Sequence, residues 1–425
     1  MSDVGFTAYS SFNPSRYELR FGTFRVAVDF GAGFGKDTEI AMLQPQPDAI
    51  VITHGHRDHI GMVPQAMQRW PRVPVYATFE TTELGKWIWG DELKIARQEH
   101  RDLPFSESDI DRAVRRIRRL LVGPSIQLTP DLTMTPFHAG HILGAVGLVF
   151  TYRGENFVVT GDISMHSHGF IEGAKLPDLQ SCRALVREST YVGQRLTQDR
   201  DVIAIEFILA VKDVLERGGT VVVPTLSIDR MPEVYALLHE SEIDLQWPVW
   251  VVGGRVPTQI YLDFAQSAHV IRTMQHFENR QHQEDTLKSH APMVVLASSG
   301  MMMPCTPSYA WGASVLQDAN SAIFFVNWQD PRQPGGIILH GSPGDELELP
   351  DGRYKRLCEV ERFDFSSHAK ENEMEEIERA LNPCQIIHVH GEEDRIRGFI
   401  EGNKGIGPER HQVVVLHEQQ PGATG

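Results

Sequence analysis

Three imidazoles and a carboxylate stand within six residues in His54-Gly55-His56-Arg57-Asp58-His59, directly after the apolar run Ala49-Ile50-Val51-Ile52. Imidazole nitrogen and carboxylate oxygen suit zinc, manganese or iron, and a site without thiolate is usually catalytic because it keeps a position open for water. A strand end with a glycine in the following loop can turn all four side chains inward. A histidine pair alone would fit a solvated polar loop. Three further residues argue against that reading: His141 in Ala139-Gly140-His141-Ile142-Leu143-Gly144, Asp162 in Thr160-Gly161-Asp162, and His390 in Val389-His390-Gly391-Glu392. Each follows an expected strand or lies in a glycine-bounded loop, and together they complete a ligand set sufficient for two metals.

The elements that must position these residues are legible as alternating apolar runs and helical periods. Arg25-Val26-Ala27-Val28 leads to Asp29 and Ala49 to Ile52 leads to His54, both as buried strands ending in polar loops. Ser106-Glu107-Ser108-Asp109 is a capping box, and Ile110, Val114, Ile117 and Leu121 then recur at helical spacing, which predicts an amphipathic helix from about 107 to 121. Strands follow at Leu132 to His138, Val146 to Tyr152 and Phe157 to Thr160. After Thr190 helices near 199–217 and 230–240 alternate with strands near 220–223, 248–252, 293–297 and 321–326, a parallel α/β signature. Past Phe365 a helix (371–381), a strand (385–389) and a helix (394–402) precede a loose tail from Gln419.

Composition bounds the class. The 425 residues carry a net charge of −16 and 41% hydrophobic residues, which fits an acidic globular protein of two or three domains and excludes a general nucleic-acid coat. A local basic groove or a metal centre can still attract phosphate. Cys182, Cys305, Cys358 and Cys384 lie far apart without a C-x-x-C pair, which argues against a thiolate zinc site and for the reducing cytoplasm. No segment approaches the ~18 apolar residues of a membrane helix, and no export signal opens the chain.

The pattern H-x-H-x-D-H, then A-G-H-x-L-G, then T-G-D resembles the metallo-β-lactamase fold. Glu188-Ser189-Thr190-Tyr191, Ser367-His368-Ala369 and His390-Gly391-Glu392 resemble the further motifs of its β-CASP branch. Ser298-Ser299-Gly300-Met301 and Gln329 are more similar to the RNA 3′-processing endonuclease group than to ribonuclease J, and a histidine at His390 points to RNA, since the DNA-repair members usually have valine there. The resemblance implies an α/β protein: an αββα metallo-β-lactamase sandwich from 1–192 and 365–425, with an inserted α/β β-CASP cap at 193–364. It implies one metal held by His54, His56 and His141, a second by Asp58, His59 and His390, and Asp162 bridging. The metals are zinc, or alternatively manganese. Two such ions lower the pKa of a bridging water and clamp a phosphodiester. It places Asp58 on the proton of that hydroxide, His368 near the scissile phosphate, Glu188 behind His368 to fix its tautomer, and Asp29 beside the metal ligands.

Several residues read more blandly. His269, His276, His282 and His290 fall in a polar stretch read as solvated surface, and His166 and His168 as an exposed loop. His138 is either a support of the metal ligands or a core histidine, and His388 is read as packing. Arg112, Arg115, Arg116, Arg118 and Arg119 are read as a solvated helix face, with an RNA-backbone stripe as the alternative. Met301-Met302-Met303, Trp87 and Trp89 are read as packing. The chain departs from the family at Pro304-Cys305-Thr306-Pro307, where a glycine pair and an arginine usually stand, at Lys370 for an aspartate, at Trp328 for a tyrosine, and at Ser10-Ser11-Phe12-Asn13-Pro14 for a glycine-rich turn. These changes alter the expected RNA path and leave the metals intact. No KH-like domain is expected, so the chain reads as a minimal two-domain member.

The expected function is a zinc-dependent ribonuclease acting on single-stranded RNA, with internal or 5′-terminal cleavage left open. A hydrolase of a small ester, thioester or lactone is the second reading, and a non-catalytic RNA-binding subunit the third. The family commonly forms dimers, so a homodimer is an allowed state, and no membrane partner is expected.

Overall fold

The structure, a computed structural model, describes residues 3–9, 14–33, 46–265, 268–289, 291–402 and 411–413. The Ser10–Asn13 turn, His290 and the tail from Gln419 therefore lie outside the described residues. The chain divides into two compact units. The first comprises Met1–Ser167, Ile171–Leu196 and Ser367–Gly425, and the second His168–Phe170 and Thr197–Ser366.

The first unit is an αββα sandwich. One sheet orders Val4–Ala8, Tyr17–Phe21, Phe24–Val28, Ala49–Val51, Val75–Thr78 and Arg118–Leu120. Its first three strands are antiparallel, and the pairings from Phe24–Val28 onward are parallel. The other sheet orders His411–Val413, Ile386–Val389, Ala184–Glu188, Glu155–Val159, Val146–Tyr152, Leu132–His138 and Ile126–Thr129. Alternate side chains of the two sheets, Val26, Val28 and Val51 from one and Leu148, Phe150, Val159 and Val186 from the other, meet in a single apolar core. The intervening residues face helices. Trp89, on the helix Phe79–Gln98, is fully buried and donates to Ile60 O. Arg187, next to Val186 but pointing to the opposite face, pairs with Glu371 and Glu378 of the helix Glu371–Leu381.

The expected helix 107–121 is shorter. It spans Glu107–Arg116, and Ile117 turns extended at φ −61° and ψ 128°. Arg118–Leu120 then pairs in parallel with Tyr76–Thr78 as the sheet's edge strand. The sheet supplies backbone partners and a buried slot for Leu120, which outweighs the helical spacing of Ile117 and Leu121; Leu121 is 53% exposed.

The second unit carries six parallel strands in the order Gln275–His276, Val249–Val252, Met293–Ala297, Thr220–Pro224, Ala322–Phe325 and Glu359–Arg362. The near-continuous apolar runs fit strands buried on both faces. An antiparallel hairpin, Glu346–Leu349 with Gly352–Lys355, adds Leu347 and Leu349 to its core. Three histidines read as solvated are not so. His168 is buried with Nδ1 3.9 Å from a Glu233 oxygen, His276 bonds Val251 O, and His282 packs edge-on against Trp250 and Phe277. A polar sequence window does not reveal which neighbours the sheet will bring to it.

Candidate metal centre

The first sheet delivers one half of the site and the second sheet the other, both at the same strand ends. His54 and His56 leave the strand Ala49–Val51, and Asp58 and His59 open the short helix Arg57–Ile60. His141 sits in the turn between Leu132–His138 and Val146–Tyr152, Asp162 follows Glu155–Val159, Glu188 ends Ala184–Glu188, and His390 follows Ile386–Val389. Gly140 makes the His141 turn possible at φ +73°, where a Cβ would also stand 2.5 Å from Ser164 O. Asp29 and His390 hold left-handed backbones at φ 61° and 51° without being glycine. Such conformations cost about 1–3 kcal/mol and gather at functional sites.

Three groups of ligand atoms converge, each within 4.8 Å: His54, His56, His141 and Asp162; Asp58, His59 and His390; and Asp162, Glu188, His368 and His390. Asp162 stands between the first two. Its Oδ2 is 3.5 Å from His54 Nε2 and 3.3 Å from His59 Nε2, and its Oδ1 is 3.4 Å from His390 Nδ1. His56 Nδ1 faces both His54 Nε2 at 3.2 Å and His141 Nε2 at 3.1 Å. Ligand nitrogens around a tetrahedral cation with bonds of about 2.0–2.1 Å stand roughly 3.3 Å apart, so this trio fits a metal. Asp162 Oδ1 is buried without a hydrogen-bond partner, as a carboxylate meant for a cation would be.

The residues behind the ligands fix their rings. Asp29 accepts from Thr53 N at 2.8 Å and holds His59 Nδ1 at 2.8 Å, which turns His59 Nε2 toward the cluster. Thr53 Oγ1 lies 3.0 Å from His54 Nδ1, and His141 Nδ1 donates to Ser367 O at 3.0 Å. Thr190, whose hydroxyl carries no expected role, donates to Glu188 Oε2 at 2.6 Å and lies 3.0 Å from His390 Nδ1. Its place in Glu188-Ser189-Thr190 was the signal. His368 Nδ1 bonds Glu188 Oε2 at 2.8 Å, and Glu188 Oε1 accepts from Ile163 N at 2.7 Å.

Electrostatics sorts these groups. Burial, reinforced by neighbouring histidines, lowers His54 and His141 well below the usual range and brings His56 down to about 4, so all three are neutral near pH 7, the form a metal ligand needs. Burial opposes charge on Asp58 and Asp162 as well, yet the facing histidines hold both carboxylates below their usual range. His368 is buried against its charge, but Glu188, then Asp162 and Asp58, raise it to about 9. His368 and Asp58, like His56, are only half-buried, with the side chains of the first two 19% and 20% exposed.

The other sequence candidates lie outside this cluster. His388 is buried and bonds Ser189 Oγ at 2.9 Å, a packing residue with a satisfied ring nitrogen. His138 Nε2 donates to Glu172 O at 2.8 Å, and His166 pairs with Glu373 at 3.1 Å. Lys370 places its ammonium 3.3 Å from the centre of the Tyr191 ring.

Residues 19–192 match the metallo-beta-lactamase superfamily domain, and residues 353–405 match the Zn-dependent metallo-hydrolase RNA specificity domain. The chain is 26% identical over 391 residues to the probable RNase MJ4 of Methanocaldococcus jannaschii, covering 88% of this chain and 90% of that one. It is 27% identical to the ribonuclease TTHA0252 of Thermus thermophilus, covering 93% and 94%. It also matches the transcription termination factor FttA of Methanocaldococcus jannaschii at 26%, covering 83% of this chain but only 60% of that one. A solved protein of unknown function from Enterococcus faecalis V583 shares the fold at a TM-score of 0.55 and 12% identity, over 91% of this chain and 94% of that one. Both domain matches fall in the order the motifs require, and the ligand residues of the first meet in one cluster. The protein is thus a member of the metallo-β-lactamase superfamily, within its β-CASP ribonuclease family.

Proposed function

We propose that the chain hydrolyses phosphodiester bonds of single-stranded RNA at a centre of two zinc ions. His54, His56 and His141 would hold one ion, Asp58, His59 and His390 the other, and Asp162 both. The observation that carries this reading is the Glu188–His368 pair standing beside two ligand groups with Asp162 between them. A site that only bound metal would need no such proton donor. The RNA specificity match and the relatives named ribonucleases support RNA as substrate. Nitrogen and oxygen donors without thiolate suit zinc, with manganese as the alternative. Four free cysteines suit a reducing, cytoplasmic setting.

A divalent cation so held lowers the pKa of water and offsets the charge that develops on phosphate. The side chains supply the proton transfers. Asp58 takes the proton of the attacking water as its oxygen bonds to phosphorus. His368, kept protonated by Glu188, gives its proton to the ester oxygen as the phosphorus–oxygen bond breaks. Asp29, Thr53 and Ser367 keep the histidine rings aimed. We read Thr197–Ser366 as the inserted β-CASP domain.

The test is a 5′-labelled single-stranded RNA incubated with the protein, with and without zinc or manganese, beside Asp162→Asn. Metal-dependent products absent from a folded Asp162→Asn variant are expected; undiminished cleavage by it overturns the reading. Fragments of intermediate length would identify internal cuts, and mononucleotide a 5′ exonuclease.

A further inference from the structure

The arginine run has a different setting from the helix face expected of it. Arg115 and Arg116 end the helix Glu107–Arg116, while Arg118 and Arg119 lie on the edge strand Arg118–Leu120. From Arg112 to Pro130 the chain has five arginines and no acidic residue, within a protein of net charge −16. Among the described residues no carboxylate pairs with Arg115, Arg116, Arg118 or Arg119. Arg118 instead lies over Tyr76 and donates to its hydroxyl at 3.1 Å. Arg119 lies over the ring of Phe79, 5.2 Å from its centre.

Phe79 is 38% exposed, and Leu121 and Val122, which follow the strand Arg118–Leu120 paired with Tyr76–Thr78, are 53% and 50% exposed. An exposed aromatic ring flanked by unneutralised guanidinium groups offers a stacking face for a base and charge for its phosphates. The described residues give these arginines no anion, so the surface is complementary to a polyanion. It also connects to the metal centre through one turn: Thr78, the residue before Phe79, and Thr81 both donate to Gly144 O, three residues beyond His141.

We propose that this edge is a second RNA-binding surface: Arg115, Arg116, Arg118 and Arg119 contact the backbone of a single strand, and Phe79 stacks one of its bases. The proposal rests on RNA being the substrate, but it concerns a surface that holds none of the metal ligands.

The experiment measures binding and leaves cleavage aside, using the Asp162→Asn background and a labelled oligoadenylate of about 20 nucleotides, a length that spans more than one stacking site. Affinity is recorded by anisotropy across a salt series. Replacing Arg116 and Arg119 by alanine should flatten the plot of log affinity against log salt by about 0.7 per lost phosphate contact. Phe79→Ala should weaken binding about tenfold with the salt slope unchanged, and Phe79→Trp should restore it. Unchanged affinity and slope in the arginine variants would overturn the proposal, as would a Phe79→Ala variant that binds like its parent. In either case, cleavage lost in Asp162→Asn would still uphold the ribonuclease reading. If Asp162→Asn cleaves undiminished while the arginine variants lose RNA binding, the ribonuclease reading falls and the edge stands. A duplex of the same length should displace the labelled oligoadenylate less well than unlabelled oligoadenylate does; preferential displacement by duplex overturns the single-strand assignment.

Discussion

At the scale of single residues, the site separates into groups that would hold cations and groups that would move or aim protons. His368 is the clearest of the second kind, because Glu188 raises it to about 9 and its side chain is partly open. Replacing His368 by alanine should lower the cleavage rate about 10²–10⁴-fold, the usual loss for a general acid, while leaving bound zinc unchanged. Parallel rate and metal-content measurements check this, and loss of zinc would make His368 a ligand. Asp29 acts one step further out. Its carboxylate holds His59 Nδ1 and Thr53 together from a left-handed backbone. Asp29→Ala should therefore weaken metal affinity by about 10–100-fold, read by competition with a chromogenic chelator. The histidine cluster was legible because six residues concentrate imidazole and carboxylate at a strand end. Ser367 was not legible as a support, because a backbone carbonyl has no signature until the fold turns a ring toward it, and Thr190 was marked only by its place in Glu188-Ser189-Thr190.

At the scale of elements, burial of charge decides more than propensity. Glu233, on the helix Arg230–Glu240, is buried with Arg200, Arg230 and His168 around it. Burial alone would raise its pKa, but Arg200 and then Arg230 and His168 bring it down to about 2. A carboxylate depressed in the folded state stabilises above its unfolded pKa, near 4.5, and that contribution is lost as pH falls toward 2. The difference amounts to roughly 3 kcal/mol. Thermal melts between pH 6 and pH 2 should show the wild-type transition falling through this window. Glu233→Gln should start lower at neutral pH, by about 3–5 kcal/mol for two arginines left buried, and fall less steeply. The strand Arg118–Leu120 makes the same point about legibility. Its helical spacing was real in the sequence, but Leu120 gains a core position in the sheet that a longer helix would deny it. Strands such as Met293–Ala297, apolar throughout and paired on both sides, were readable because no competing period exists there.

At the scale of the whole molecule, charge and metal set the behaviour. A net charge of −16 repels nucleic acid in general, so attraction must come from the centre and from local arginines. If the clustered ligands bind zinc only when folded, the metal should raise the melting temperature by linkage, worth about 2.7 kcal/mol at a hundredfold excess over the dissociation constant. Calorimetry with and without a chelator checks this, and Asp162→Asn should lose most of the shift. The sequence changes texture after Thr190, and the second compact unit includes Thr197–Ser366. The last two strands of the second sheet, Ile386–Val389 and His411–Val413, are contributed only after the second unit has been traversed. That topology has a consequence for a growing chain. A nascent chain that has just completed residue 196 already possesses His54, His56, His141 and Asp162, but neither His368 nor His390. On the proposed roles it would hold the ligands of one ion and lack the proton donor. On the proposed roles, cleavage would have to wait for the segment that brings His368 and His390 and adds the strand Ile386–Val389 to the sheet.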